Sequence, residues 1–194
     1  ANFKKDLIDK KEVKSNLSAK VEKVSNDTYV KIHDINTSLV DKNKTVLENS
    51  INYTYQNKDF YAEVTPSVFE DISKKGNLRD EYLLPLTIQK NILSSNKYGF
   101  VDLASNLRIR NYQVNKQMNL FVNDFNWKSN NWINKLGFEN YFEGLVKTVN
   151  YEANKTKEFK NDNTNSELNS ALGFFGKLPL FKNDTYNKTW VTSV

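Results

Sequence analysis

The chain has no cysteine and one histidine, His33. Without thiols it has no disulfide framework, no thiolate metal site and no cysteine nucleophile. A single histidine nearly excludes a multi-histidine metal centre or an ordinary histidine-based triad, and His33 reads as a surface or loop residue. Glycine numbers six and proline three. No dinucleotide or P-loop glycine pattern occurs, so neither cofactor nor metal is expected. No apolar stretch has the length of a signal peptide or a spanning helix. That leaves a membrane β-barrel open, because its strands need only about ten residues of alternating character. Ala1 rather than methionine comes first, as in a mature or fragmentary chain. There is also no arginine stripe and no basic helix. The net charge of +5 is spread along the chain, with one modest cluster at Lys10, Lys11 and Lys14, so nucleic acid is not an expected partner.

Hydrophobic residues make up only 38% of the 194 residues, while aromatics reach 13%. Mean hydropathy is −0.69. A compact core asks for more apolar content. A barrel with a wet interior asks for less, since only half of each strand need be greasy. The Asn- and Lys-rich usage of an AT-rich genome accounts for the same numbers equally well.

What the chain does have is apolar/polar alternation, strand after strand. Residues 99–112 are the clearest case: Val101, Leu103, Leu107 and Ile109 point one way, and Asp102, Asn106, Arg108 and Arg110 the other. Residues 132–142 read as a second such strand, with Trp132, Leu136, Phe138 and Phe142 opposing Lys135, Glu139, Tyr141 and Glu143. Further strands are expected at 15–24, 29–35, 46–55, 60–69, 81–90, 118–127, 166–175 and from 190 onward. Turn signals separate them, among them Ser25-Asn26-Asp27, Asp41-Lys42-Asn43-Lys44, Gln56-Asn57-Lys58-Asp59 and Ser94-Ser95-Asn96-Lys97. Pro66 marks a bulge or strand edge. Residues 1–14 read as a charged terminal segment, a short helix or a frayed end, and 151–165 as a long loop. The total is on the order of nine to eleven strands in up-and-down order, either a sandwich or a barrel.

Several segments in order resemble the lipopolysaccharide-assembly outer-membrane protein family (LptD, also called OstA or Imp), closest to alphaproteobacterial members with AT-rich genomes. They are Asn26-Asp27-Thr28-Tyr29-Val30-Lys31 with Asp34-Ile35-Asn36, Leu47-Glu48-Asn49, Val68-Phe69-Glu70-Asp71 and Tyr82-Leu83-Leu84-Pro85. Asn123-Asp124-Phe125-Asn126-Trp127, Gly137-Phe138, the stretch from Leu145 through Tyr151, and Leu178-Pro179-Leu180 follow. The resemblance covers most of the chain from Asn26 on. It implies an all-β fold, an antiparallel up-and-down meander over 15–194 forming part of a transmembrane β-barrel wall, in the cell outer membrane of a Gram-negative bacterium. It implies a part in the translocon that inserts lipopolysaccharide into the outer leaflet. Implied partners are lipopolysaccharide, the outer-membrane bilayer, an LptE-like plug lipoprotein and periplasmic transport-bridge proteins. The role is passive, and no enzyme activity is expected. Another outer-membrane channel or receptor, or a soluble β-sandwich binding module, are the other readings.

On this reading Val101, Leu103, Leu107, Ile109, Leu136 and Phe138 face lipid, or else line the inside of a sandwich. Asp102, Asn106, Arg108, Arg110, Lys135, Glu139 and Glu143 line a polar lumen. There the arginines could attract phosphates, or simply solvate a wall. Tyr53, Tyr55, Trp127 and Trp132 belong to an aromatic girdle near strand ends, or to core and rim packing in a soluble protein. Glu139 and Glu143 lie about 13 Å apart along one face of an extended strand, too far for a glycosidase pair.

Overall fold

The computed structural model describes residues 1–24, 32, 44–112, 116–155, 164–183 and 188–192. Their elements are thirteen strands and one 3-10 turn, Gly76–Leu78. The protein is all-β. Eleven strands form one antiparallel sheet with the path β1 (Asn2–Lys10), β2 (Val13–Lys20), β3 (Val46–Asn57), β4 (Phe60–Val64), β6 (Asp80–Ser95), β7 (Gly99–Tyr112), β8 (Lys116–Lys128), β10 (Glu139–Asn154) and β11 (Asn165–Lys177). β5 (Ser67–Asp71) pairs with β3 and β6, and β9 (Trp132–Ile133) with β10. β12 (Pro179–Asn183) and β13 (Lys188–Thr192) form a separate hairpin. Neighbours in space are neighbours in sequence, which makes the large sheet a meander. In the pairing of the described residues, β1 and β11 are its edges.

Two of the hairpins have a local cause. Asn57 carries the turn into β4 by accepting the Asp59 N–H on its side-chain oxygen at 3.0 Å. Between β6 and β7 the loop closes at Gly99, whose φ of +85° suits a residue without Cβ. A Cβ there would fall 2.0 Å from the Lys128 carbonyl oxygen. Pro66 does mark an interruption: β4 ends at Val64 and β5 starts at Ser67. Thr65 N–H donates to the Pro85 carbonyl at 3.2 Å, while Pro85 has no N–H to return.

Most short turns lie at one end of the sheet and most long connections at the other, with 129–138 and 113–115 as the exceptions. At one end β1–β2 turns through Lys11-Glu12, β3–β4 through Lys58-Asp59 and β6–β7 through 96–98. At the other end the chain between β2 and β3 runs from 21 to 45, and that between β10 and β11 from 155 to 164.

Several expectations need correction. Residues 1–14 are neither helix nor frayed end: 2–10 form β1, and the expected boundary at 14/15 falls inside β2. The expected strand 132–142 is broken, with β9 ending at Ile133 and β10 starting at Glu139. Asn134 makes the intervening turn. Its side-chain oxygen accepts from the Leu136 and Phe138 N–H groups at 2.9 and 3.0 Å. Its own N–H donates to the Phe138 carbonyl at 2.9 Å. Finally, the expected loop 151–165 begins too early, because β10 continues to Asn154. The expected strand 29–35 apart from Ile32, the turns at 25–27 and 41–43, and His33 lie outside the described residues.

Candidate functional site

Because paired residues share a face, the register sorts every strand residue onto one side of the sheet or the other. One side carries Ile51, Tyr53 and Tyr55 of β3, then Val64, Leu84, Leu86 and Ile88, then Val101, Leu103, Leu107 and Ile109. It continues through Phe121, Phe125 and Trp127 to Phe142 and Val146. On β11 it shows Leu168, Leu172 and Phe174. We call it the apolar face. Much of it is open: Leu172 is 74% exposed, Leu168 71%, Phe174 59% and Ile51 53%. The accessible surface of the whole chain is 14530 Å². A globular protein of this mass shows roughly 9500 Å².

The opposite face is laced with polar cross-strand pairs. Arg110 grips Glu81 in a fork, Nε to Oε1 at 2.6 Å and Nη2 to Oε2 at 3.2 Å. The same guanidinium lies over the Tyr112 ring at 4.0 Å. Asn91 donates to Asp102 at 2.9 Å, and Thr87 to Asn106 at 3.1 Å. Lys147 meets Asp124 at 3.3 Å, and Lys128 meets Glu143 at 3.2 Å. Glu63 accepts from Asn52 at 2.7 Å and from Tyr61 at 2.6 Å.

Most of the sequence-predicted residues divide between the two faces. Val101, Leu103, Leu107 and Ile109 share the apolar face, and Asp102, Asn106, Arg108 and Arg110 share the polar one. Glu139 and Glu143 join the polar set from β10. Lys135, Leu136 and Phe138 join neither, because they sit in the turn before β10, where Leu136 is 78% exposed. The strand period that assigned them a side does not apply in a turn. Tyr53, Tyr55, Trp127 and Trp132 all project from the apolar face. Trp132, Phe142 and Phe174 form one cluster there, with centroids 5.1 to 6.2 Å apart. Tyr55 and Phe60 form another at 6.0 Å.

A patch missed in the sequence lies on the polar face. Met118 pairs with Ala153, Leu120 with Tyr151 and Val122 with Val149. Met118, Tyr151 and Ala153 are buried, as is Tyr112 nearby. The signal was present as the even-numbered apolar residues of β8, but the odd-numbered aromatics of the same strand masked it. Near the same end, Asp71 accepts from Lys74 Nζ and from the Ser73 hydroxyl at 2.7 and 2.6 Å. The lysine first, then the serine, holds its carboxyl down to about 2.

Among the described residues no cluster of His, Asp and Glu has metal-holding geometry, and no helix is long and apolar enough to cross a membrane. The second statement bears on helices alone. Searches of protein-family models, curated proteins and solved structures find no match to this chain.

Proposed function

We propose that this sheet is a stretch of outer-membrane β-barrel wall belonging to the machinery that inserts lipopolysaccharide into the outer leaflet. The observation that carries the wall reading is the two-sidedness of a single sheet. One face is apolar and largely uncovered, and the other is polar and cross-linked by ion pairs and hydrogen bonds. A soluble sandwich would spend its apolar face inside, against a second layer. In a bilayer the same face meets hydrocarbon, and the ladder satisfies the backbone groups that lipid cannot. The aromatic clusters at the short-turn end suit the interface, where ring bodies sit at headgroup level. The lipopolysaccharide assignment is carried by the ordered sequence resemblance described above. On this reading Arg108 faces the lumen, where a cation complements glycolipid phosphates, and Arg110 faces it already paired with Glu81.

The wall reading is tested by solvent. The chain should need detergent or lipid to stay monodisperse, and monodispersity in plain buffer would refute it. The transport role is tested by photoreactive residues placed at 108 and 110 in cells. An adduct with lipopolysaccharide is expected. Adducts at no inward position would point instead to another outer-membrane channel or receptor.

A further inference from the structure

The pairing rows act as a ruler across the sheet. One row runs from Tyr53 through Val64, Leu86, Leu107 and Phe121 to Asn150. On β3 it passes through the middle of the apolar run Ile51, Tyr53 and Tyr55. On β7 the run 101–109 is centred on Ser105, two residues from the row. On β8 the run 121–127 is centred three residues away. On β10 the run is Phe142, Gly144 and Val146, and its centre stands six residues from Asn150. The row has by then entered polar territory, with Thr148, Asn150 and Glu152 on the same side.

The rim aromatics mark the edge of the same belt. The row of Tyr55 runs through Ala62, Ile88, Ser105 and Asn123 to Thr148, while the aromatic rim on β10 is Phe142, again six residues along. The β6 run Leu84, Leu86 and Ile88 is centred on the row itself, and the β11 run 168–174 five residues from it, so across the sheet the belt slants on average by roughly one residue per strand. With ~3.3 Å of rise per residue and ~4.8 Å between strands, that is about 35°. Barrel strands tilt by about 35–45° for closure.

We propose that the occupant of this face is the bilayer hydrocarbon, held in a belt oblique to the pairing rows, so that the strands lean about 35° from the membrane normal. The inference rests on the wall reading above and says where on each strand the hydrocarbon begins and ends. Tyr53 and Leu107 lie within it, as does Val146. Asn150 and Glu152 lie beyond its edge, although Asn150 shares a row with the first two. A belt along the rows would instead bring Asn150 to the depth of Tyr53.

The absence of cysteine makes the test direct. Tyr53→Cys, Leu107→Cys, Val146→Cys, Asn150→Cys and Glu152→Cys variants of the full chain carry a nitroxide in phosphatidylcholine vesicles. Relaxation by oxygen reports lipid, and relaxation by a nickel chelate reports water. Oxygen should dominate at 53, 107 and 146, and nickel at 150 and 152. Equal depth for 53, 107 and 150 overturns the slant and leaves the wall reading standing. Nickel dominance at every site, extended to Val101→Cys and Leu103→Cys, overturns the wall reading itself. A membrane-impermeant maleimide applied to opened outer-membrane fractions ranks the same positions without refolding, so a variant that refolds poorly still reports.

Discussion

Ser105 donates to Asn123 at 2.7 Å on the apolar face, and Asn123 passes the chain on to Thr148 at 3.1 Å. Three strands, β7, β8 and β10, are thus joined by side chains as well as backbone, in a row flanked by Leu103, Leu107, Phe121 and Phe125. Polar groups in apolar surroundings are tolerable when they satisfy one another, and removing one leaves the others exposed to that cost. Asn123→Ala should destabilise the protein by about 1–2 kcal/mol. The triple change Ser105→Ala, Asn123→Leu and Thr148→Val should recover most of that loss. Chemical unfolding in micelles measures both, and a triple variant weaker than the single one would disprove mutual satisfaction.

Gly99 is required by two conditions at once, a φ of +85° and a Cβ position 2.0 Å from a backbone oxygen. The obstacle is main chain and cannot rotate away. Gly99→Ala should cost about 3 kcal/mol, whereas Gly76→Ala, also at positive φ but with open space, should cost about 1 kcal/mol. The ranking, read from unfolding midpoints, is the decisive quantity.

Trp127 lies across Gly144: a Cβ on Gly144 would come 3.3 Å from its ring, and the indole N–H donates to the Tyr98 carbonyl at 2.8 Å. Gly144→Val should lift the ring, weaken that hydrogen bond and change the Trp127 emission. An unchanged indole signal from Gly144→Val would mean the ring does not rest there.

The Asp71 carboxyl, with its ordinary value of 3.8 depressed to about 2 by Lys74 and Ser73, makes the turn after β5 pH-dependent. A depressed carboxylate contributes its stability in full above the unfolded value and loses it as pH falls through the folded one. The contribution should therefore be complete above pH 4 and fade between about 4 and 2. Carbon NMR of the labelled carboxyl gives the midpoint, and Lys74→Met should move it upward. A midpoint near 4 in the parent protein would show that the contact does not form.

How much of this was legible depended on whether period and composition agreed. Residues 99–112 alternate through Val101, Leu103, Leu107 and Ile109 against Asp102, Asn106, Arg108 and Arg110, and β7 has those bounds. The turn at 134–137 also had its signals, Asn134 and Gly137, but Trp132, Leu136, Phe138 and Phe142 all fall on even positions and imitate a strand through it. β1 was hidden for the opposite reason. Lys4, Lys5, Asp6, Asp9 and Lys10 make it polar, the register shift beside Leu7 breaks its period, and Lys11-Glu12 carries no glycine, proline or asparagine to announce a turn. β10 misled because its apolar residues change sides. Phe142 and Val146 lie on one face, and Val149, Tyr151 and Ala153 on the other, so its last residues, from Tyr151 on, read as loop. No single-strand pattern reveals the slant of the belt, because it exists only between strands and needs the register.

The uneven connections decide where this chain can change. Lengthening a segment that already spans many residues adds little closure entropy, whereas a two-residue reversal has no slack. Foreign peptide inserted between β2 and β3 or between β10 and β11 should leave the ladder intact, and the same insert at Lys58-Asp59 should not. The long connections can diversify freely while the two-residue reversals stay frozen, so different connections of the protein are subject to different rates of evolution.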